Sequence, residues 1–199
     1  MGLRIIAGVA GGRTLRAPRG STTRPTSDRV REAIFSIVVS AMGELEGMRV
    51  LDLFAGSGAL GLEALSRGAA HAVFVDHGRE CRQVIEANVR ALGFAGVQVL
   101  GVGVSHALEL LRGQRFELVL ADPPYATDLE PLMHQLAQSD TLQGQSMLVL
   151  EHGRKNQPPD GAGDLVLVGR RRYGDSMLSI YRRQADSCAA EAPAGDADR

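Results

Sequence analysis

The chain has 199 residues, 44% of them hydrophobic and 4% aromatic, and a formal charge of −1. That length supports one sizeable core of an ordinary α/β kind, while the longest apolar run, around residues 33–42, is far too short to span a bilayer. Cys81 and Cys188 stand too far apart for a disulfide framework or zinc spacing, and the five histidines lack paired metal-ligand spacing, so neither a disulfide scaffold nor a metal site is expected.

The near-zero net charge hides an asymmetry. Residues 1–31 hold seven arginines (Arg4, Arg13, Arg16, Arg19, Arg24, Arg29 and Arg31) against one acid, Asp28. The guanidinium fork matches phosphate oxygens two at a time. A basic arm of this kind is a footprint for nucleic acid, and Arg4, Arg13, Arg16, Arg24, Arg29 and Arg31 are the candidate RNA contacts. Extended pieces at 3–8 and 13–17 around Gly11-Gly12 read as a hairpin. Thr26 or Ser27 is placed to cap a helix over 28–42, with Val30, Ala33, Ile34, Ile37, Val38 and Ala41 at helical spacing. Its opposite face would present Arg29 and Arg31.

From residue 48 the pattern alternates. Strands are expected at 49–54, 72–76, 97–101, 116–121 and 146–151, and helices near 59–67, 79–92, 104–112 and 128–138. Such alternation predicts a mostly parallel sheet with helices on both faces. Two late strands, 164–171 and 176–182, turn at Tyr173-Gly174-Asp175 and form an antiparallel edge hairpin, giving seven strands. After Arg183 no apolar period is left, and an acidic tail over 184–199 reads as disordered. The expected organisation is a basic hairpin and link over 1–27, a main domain over 28–183, and that tail. No signal peptide is visible in Met1 to Gly12, and a reducing cytoplasm is the simplest home.

Two motifs carry chemistry. In the first, an apolar run ends in Asp52-Leu53-Phe54-Ala55-Gly56-Ser57-Gly58, and a helix follows. Gly56, Gly58 and Gly61 match G-x-G-x-x-G, with Asp76 twenty residues after Gly56. A carboxylate at Asp52 repels a pyrophosphate and attracts a ligand bearing an ammonium. S-adenosylmethionine has an ammonium, a sulfonium and a ribose diol and no phosphate, so it suits the turn better than NAD does. Asp52 would face its methionine end and Asp76 its ribose; Phe54, Gly56, Ser57 and Gly58 form the turn between them. No acid follows the third strand, so the adenine falls to backbone groups or to Ser105.

The second motif is Asp122-Pro123-Pro124-Tyr125 at the exit of an apolar strand. Each proline fixes its own φ, lacks an N–H and pushes its predecessor out of the helical region. A carboxylate, a rigid carbonyl and a flat ring therefore stand together. This suits an exocyclic amine on a planar base: Asp122 and the Pro123 carbonyl accept its N–H bonds, and Tyr125 stacks on the ring. Ligands of open α/β sheets sit at the carboxyl ends of strands, which gathers Asp52, Asp76 and Asp122 at one crevice.

Together these motifs resemble a class I methyltransferase that methylates amines. Arg4-Ile5-Ile6-Ala7-Gly8, Gly12-Arg13 and Arg24-Pro25-Thr26-Ser27-Asp28-Arg29-Val30-Arg31-Glu32 are similar to the RsmD family, over residues 3–183. That resemblance implies a Rossmann-like fold, S-adenosylmethionine as cofactor, and methylation of guanine N2 in 16S ribosomal RNA of the small subunit. Asp122, Pro123 and Tyr125 would be its catalytic residues, with Asp122 also touching the cofactor. No membrane or metal is implied, and nothing demands more than a monomer. The rivals are an adenine-N6 or glutamine-amide methyltransferase, an NAD-dependent oxidoreductase, and a non-catalytic RNA-binding protein.

Overall fold

The computed structural model describes residues 2–18 and 27–184. An eight-stranded sheet with five helices forms the body: α1 (Asp28–Met42), β1 (Arg49–Leu53), α2 (Ala59–Ser66), β2 (His71–Val75), α3 (Arg79–Leu92), β3 (Val97–Leu100), α4 (Val104–Leu110), β4 (Phe116–Ala121), α5 (Leu129–Gln138), β5 (Leu142–Gly153), β6 (Gly161–Ala162), β7 (Leu165–Tyr173) and β8 (Ser176–Arg183). The sheet order is β3-β2-β1-β4-β5-β8-β7-β6.

The first five strands in that order run parallel, and β8 inserts antiparallel between β5 and β7. Chain order reverses at β1, whose neighbours are β2 and β4, so a crevice opens beyond the carboxyl ends of β1 and β4. Each central strand is apolar on both sides because both sheet faces are covered. Leu118 and Leu120 of β4 pack with α1, α2 and α3, while Val119 and Ala121 pack with α4 and α5.

Ser27 caps α1, its side chain accepting from the Val30 N–H. The inward residues are Val30, Arg31, Ile34, Phe35 and Val38; Ala33 and Ile37 are half-buried, and Ala41 is exposed. The N-terminal segment makes one antiparallel bridge, Arg4 to Thr14, and sends Ile5, Ala10 and Leu15 into the same core as α1.

Two elements differ from the sequence expectation. β5 starts at Leu142 instead of 146, because Phe116 pairs with Leu142 before the register shifts to Leu118 and Met147. Within the irregularity Gln145 takes a φ of +72°, and the Ser146 hydroxyl donates to the Phe116 carbonyl. The eighth strand is β6, two residues that pair with Leu165 and Val166. The acidic tail, 185–199, falls outside the described residues.

Candidate active site

The first wall of the crevice is the turn after β1. Phe54 leaves the strand at a φ of +59°, a left-handed conformation costly for a bulky side chain. Gly58, at +78°, then caps α2. A Cβ on Gly61 would lie 2.4 Å from the Phe74 ring and 3.1 Å from Asp52 Oδ2, so only glycine fits there. That close packing lets the Gly61 N–H donate to Asp52 Oδ2 at 2.8 Å.

Asp52 is 1% exposed. Burial, reinforced by the charges of Asp122 and Asp76, outweighs the Gly61 N–H and pushes its carboxyl up to about 7. Among the described residues it has no cationic partner. A buried acid of this kind fits a ligand that brings positive charge, as the ammonium and sulfonium of S-adenosylmethionine would.

Asp76 follows β2. One carboxylate oxygen accepts from the Gly56 N–H at 2.9 Å and the other from the Gly78 N–H at 2.8 Å, so the acid orders the glycine turn and keeps lone pairs that a ligand's hydroxyls would use. Burial and then the Asp76 charge push the neighbouring Cys81 thiol up to about 11. Asn88 of α3 donates to the Ser57 carbonyl and to the Arg16 carbonyl, each at 3.0 Å, and so ties the turn to the N-terminal segment. Ser105, at the start of α4, is exposed and its hydroxyl donates to Gln135 at 2.9 Å.

The second wall follows β4. The Asp122 N–H reaches back to the Leu53 carbonyl at 3.4 Å, so the ladder between β1 and β4 runs into the Asp-Pro-Pro-Tyr turn. Asp122 is half-buried, Pro123 buried and Tyr125 62% exposed. The Tyr125 ring lies against Gly153, where an added Cβ would come within 3.3 Å of it. Asn156 donates to the carbonyls of Tyr125 (3.2 Å) and Thr127 (2.8 Å), and Thr127 N–H donates to the Pro124 carbonyl at 2.8 Å. Asn156 escaped the sequence reading because a lone asparagine in a polar loop has no pattern.

Glu151 is a further residue that reading missed. It is 5% exposed and ends the apolar run Met147–Leu150 of β5, next to Asp122's strand. The strand-end rule that found Asp122 applies to it equally.

The arginines divide. Arg31 is fully buried and is no surface contact. Its guanidinium donates to Asp28 at 2.8 Å and to the Arg4 carbonyl at 2.6 Å, and lies 3.9 Å from Glu63. The physical reason is helical spacing, which sets Arg31 on the inward stripe of Ile34, Phe35 and Val38. Arg4 pairs with Asp28 at 3.2 Å, and Arg13 donates to the Ala91 carbonyl at 2.7 Å. Arg16 and Arg29 are exposed, and Arg24 lies outside the described residues.

Comparison with known proteins places this geometry. Residues 3–182 match the family model "Conserved hypothetical protein 95". The chain is 37% identical over 186 residues to "Putative rRNA methyltransferase YlbH" of Bacillus subtilis, covering 92% of this chain and 100% of that one. It is 33% identical to "Ribosomal RNA small subunit methyltransferase D" of Escherichia coli, covering 92% and 91%. The solved structure of yhhF from Escherichia coli superposes with a TM-score of 0.80 at 31% identity, covering 92% of this chain and 98% of that one. The fold is that of the class I methyltransferases, whose cofactor is S-adenosylmethionine.

Proposed function

The chain belongs to the conserved hypothetical protein 95 family, that of the RsmD methyltransferases, and from that premise we propose that it methylates the exocyclic N2 of a guanine in 16S ribosomal RNA, acting in the cytoplasm as a monomer. The observation that carries this reading is the convergence at one strand crossing. Asp52 and Asp76 flank the glycine turn, and one strand away stands Asp122 with the exposed ring of Tyr125.

When bound, S-adenosylmethionine supplies a methyl group activated on a sulfonium. Asp52 would meet its ammonium, Asp76 its ribose hydroxyls, and the backbone of Gly56, Ser57 and Gly58 the edge between them. Toward the acceptor, the Asp122 carboxylate and the Pro123 carbonyl would take the two N–H bonds of the amine. Those acceptors localise a nitrogen lone pair otherwise delocalised into the base. Transfer would form a C–N bond to the methyl carbon and leave the C–S pair on sulfur, and the Asp122 carboxylate would take the proton that the amine releases. Tyr125 would stack on a base drawn from its own stack, worth roughly 1–3 kcal/mol. The remaining gain is positional. Guanine over adenine rests on the likeness of residues 24–32 to the RsmD family.

The test is labelled methyl transfer onto small subunits from cells that lack the gene, followed by nucleoside analysis. N2-methylguanosine is expected; N6-methyladenosine would move the reading to an adenine methyltransferase. Asp122→Ala should lower turnover at least a hundredfold with S-adenosylhomocysteine binding nearly intact by calorimetry, and turnover near wild type would refute the role of Asp122.

A further inference from the structure

A second group of cations stands at the carboxyl rim of the antiparallel half of the sheet. Register carries it there. Glu151 of β5 pairs with Leu178 of β8, and Leu178 with Arg171 of β7. Ala121 of β4 pairs with Leu150 of β5, so Asp122 continues into the row of Glu151. Paired residues share a face, which sets Arg171 on the face of Asp122, three strand spacings or about 14 Å away. Arg172 pairs with Met177 and occupies the opposite face of the same rim.

Arg154 and Lys155 fill the turn that leaves β5. The next residue, Asn156, holds the carbonyls of Tyr125 and Thr127. This basic turn is therefore bonded directly to the loop that presents Tyr125. Arg154, Lys155, Arg171 and Arg172 are all exposed. Among the described residues none of the four forms an ion pair; Arg171 and Arg172 only rest on the carbonyls of Arg170 and Gly174, each at 3.0 Å. The nearby acid Asp160 is taken by Arg170 at 2.7 Å, and Asp164 lies 3.6 Å from Arg183 at the far end of β7.

We propose that Arg154, Lys155, Arg171 and Arg172 form a docking surface for the RNA backbone, gripping phosphates of nucleotides that flank the target base. It rests on the RNA reading above and adds cations other than the N-terminal arginines. A strand whose base reaches Asp122 and Tyr125 must lay its backbone across the rim around them. Cations without acid partners, exposed to water and anchored to that rim, suit phosphate oxygens. Their contribution is independent of sequence and sensitive to salt.

The test uses the full chain with two double variants, R171E/R172E and R154E/K155E. Binding to 16S ribosomal RNA and to assembled small subunits is measured by filter retention at several salt concentrations, and S-adenosylhomocysteine binding by calorimetry. Each double variant should bind RNA at least tenfold more weakly. The slope of log affinity against log salt should become shallower by about one per phosphate contact removed. Cofactor binding should stay at the wild-type value. RNA affinity and salt slope equal to wild type, with cofactor binding intact, would overturn the proposal. So would a loss confined to assembled subunits, which would assign the surface to a ribosomal protein. If charge reversal unfolds the chain, R171Q/R172Q supplies the same comparison with a smaller loss. A wild-type protein that binds RNA through these residues yet leaves guanine N2 unmethylated would sink the proposed reaction and leave this surface standing.

Discussion

Two carboxylates, Asp52 and Glu63, are buried on the same side of the sheet, at 1% and 0% exposure, and the protein treats them in opposite ways. Glu63 is surrounded by donors. It accepts from Arg67 at 2.8 Å and from the N–H groups of Ile6 (2.7 Å) and Ala7 (3.0 Å), and Arg31 stands 3.9 Å away. Arg67 in turn lies over the Phe35 ring, 4.9 Å from its centroid. Among the described residues Asp52 accepts a hydrogen bond from the Gly61 N–H alone and faces the negative charges of Asp122 and Asp76. A buried acid with cations around it is architecture: Glu63 fastens the N-terminal segment and α1 onto α2. A buried acid among other acids suits a ligand that would bring the counter-charge, the role proposed for Asp52.

The comparison breaks most forcefully at Glu63. Glu63→Ala leaves Arg31 buried beside one half-exposed acid and strips two N–H groups of their acceptor. A loss of about 3–5 kcal/mol is expected, read by denaturant unfolding, with S-adenosylhomocysteine affinity unchanged in the folded fraction. Asp52→Asn should act in the reverse sense. The amide keeps an acceptor for Gly61 and removes a charge held at a carboxyl pKa of about 7 in place of 3.8, so the ligand-free protein should gain up to about 4 kcal/mol at pH 8. Ligand affinity should fall more than tenfold. A variant that binds as tightly as wild type would show that Asp52 meets no cation.

Much of this was legible in the sequence, and particular residues show why. β4 and the turn at Asp122 could be read because an apolar strand running into Pro-Pro admits few conformations. The same holds for β1 and its glycines. Arg31 was misplaced although its position carried the signal: it sits three, four and seven residues before Ile34, Phe35 and Val38, on their stripe. Residue type suggested a surface, whereas spacing pointed inward. The start of β5 was hidden because Leu142-Gln143-Gly144-Gln145-Ser146 is polar and glycine-bearing, and its pairing with Phe116 exists only across the chain. Rim cations Arg171 and Arg172 carried no local sign of their place, since their distance from Asp122 depends on β8 inserting between β5 and β7.

Acidity sharpens the contrast without any mutation. The folded Asp52 carboxyl lies above its unfolded value, so its contribution to stability is fully present below about 3.8 and is lost as pH rises through about 7. A cationic ligand favours the ionised form. Added S-adenosylhomocysteine should therefore raise the melting temperature more at pH 8 than at pH 6, and Asp52→Asn should flatten that difference. An equal shift at both pH values in the wild type would argue that the ligand's ammonium is held elsewhere.

The smallest effect expected is at Arg4. Its guanidinium meets Asp28 at 3.2 Å with both side chains open to water, at 49% and 37% exposure. An exposed pair of this kind contributes 0–1 kcal/mol, approximately, and is screened by salt. Asp28 also keeps Arg31 at 2.8 Å after Arg4 is removed. Arg4→Ala should therefore change the unfolding free energy by less than about 1 kcal/mol, and its carbonyl would still accept from Arg31, since the backbone is untouched. A loss comparable to that of Glu63→Ala would mean that the Arg4 side chain belongs to the buried network, and that the boundary drawn between the two kinds of charge lies one residue further out.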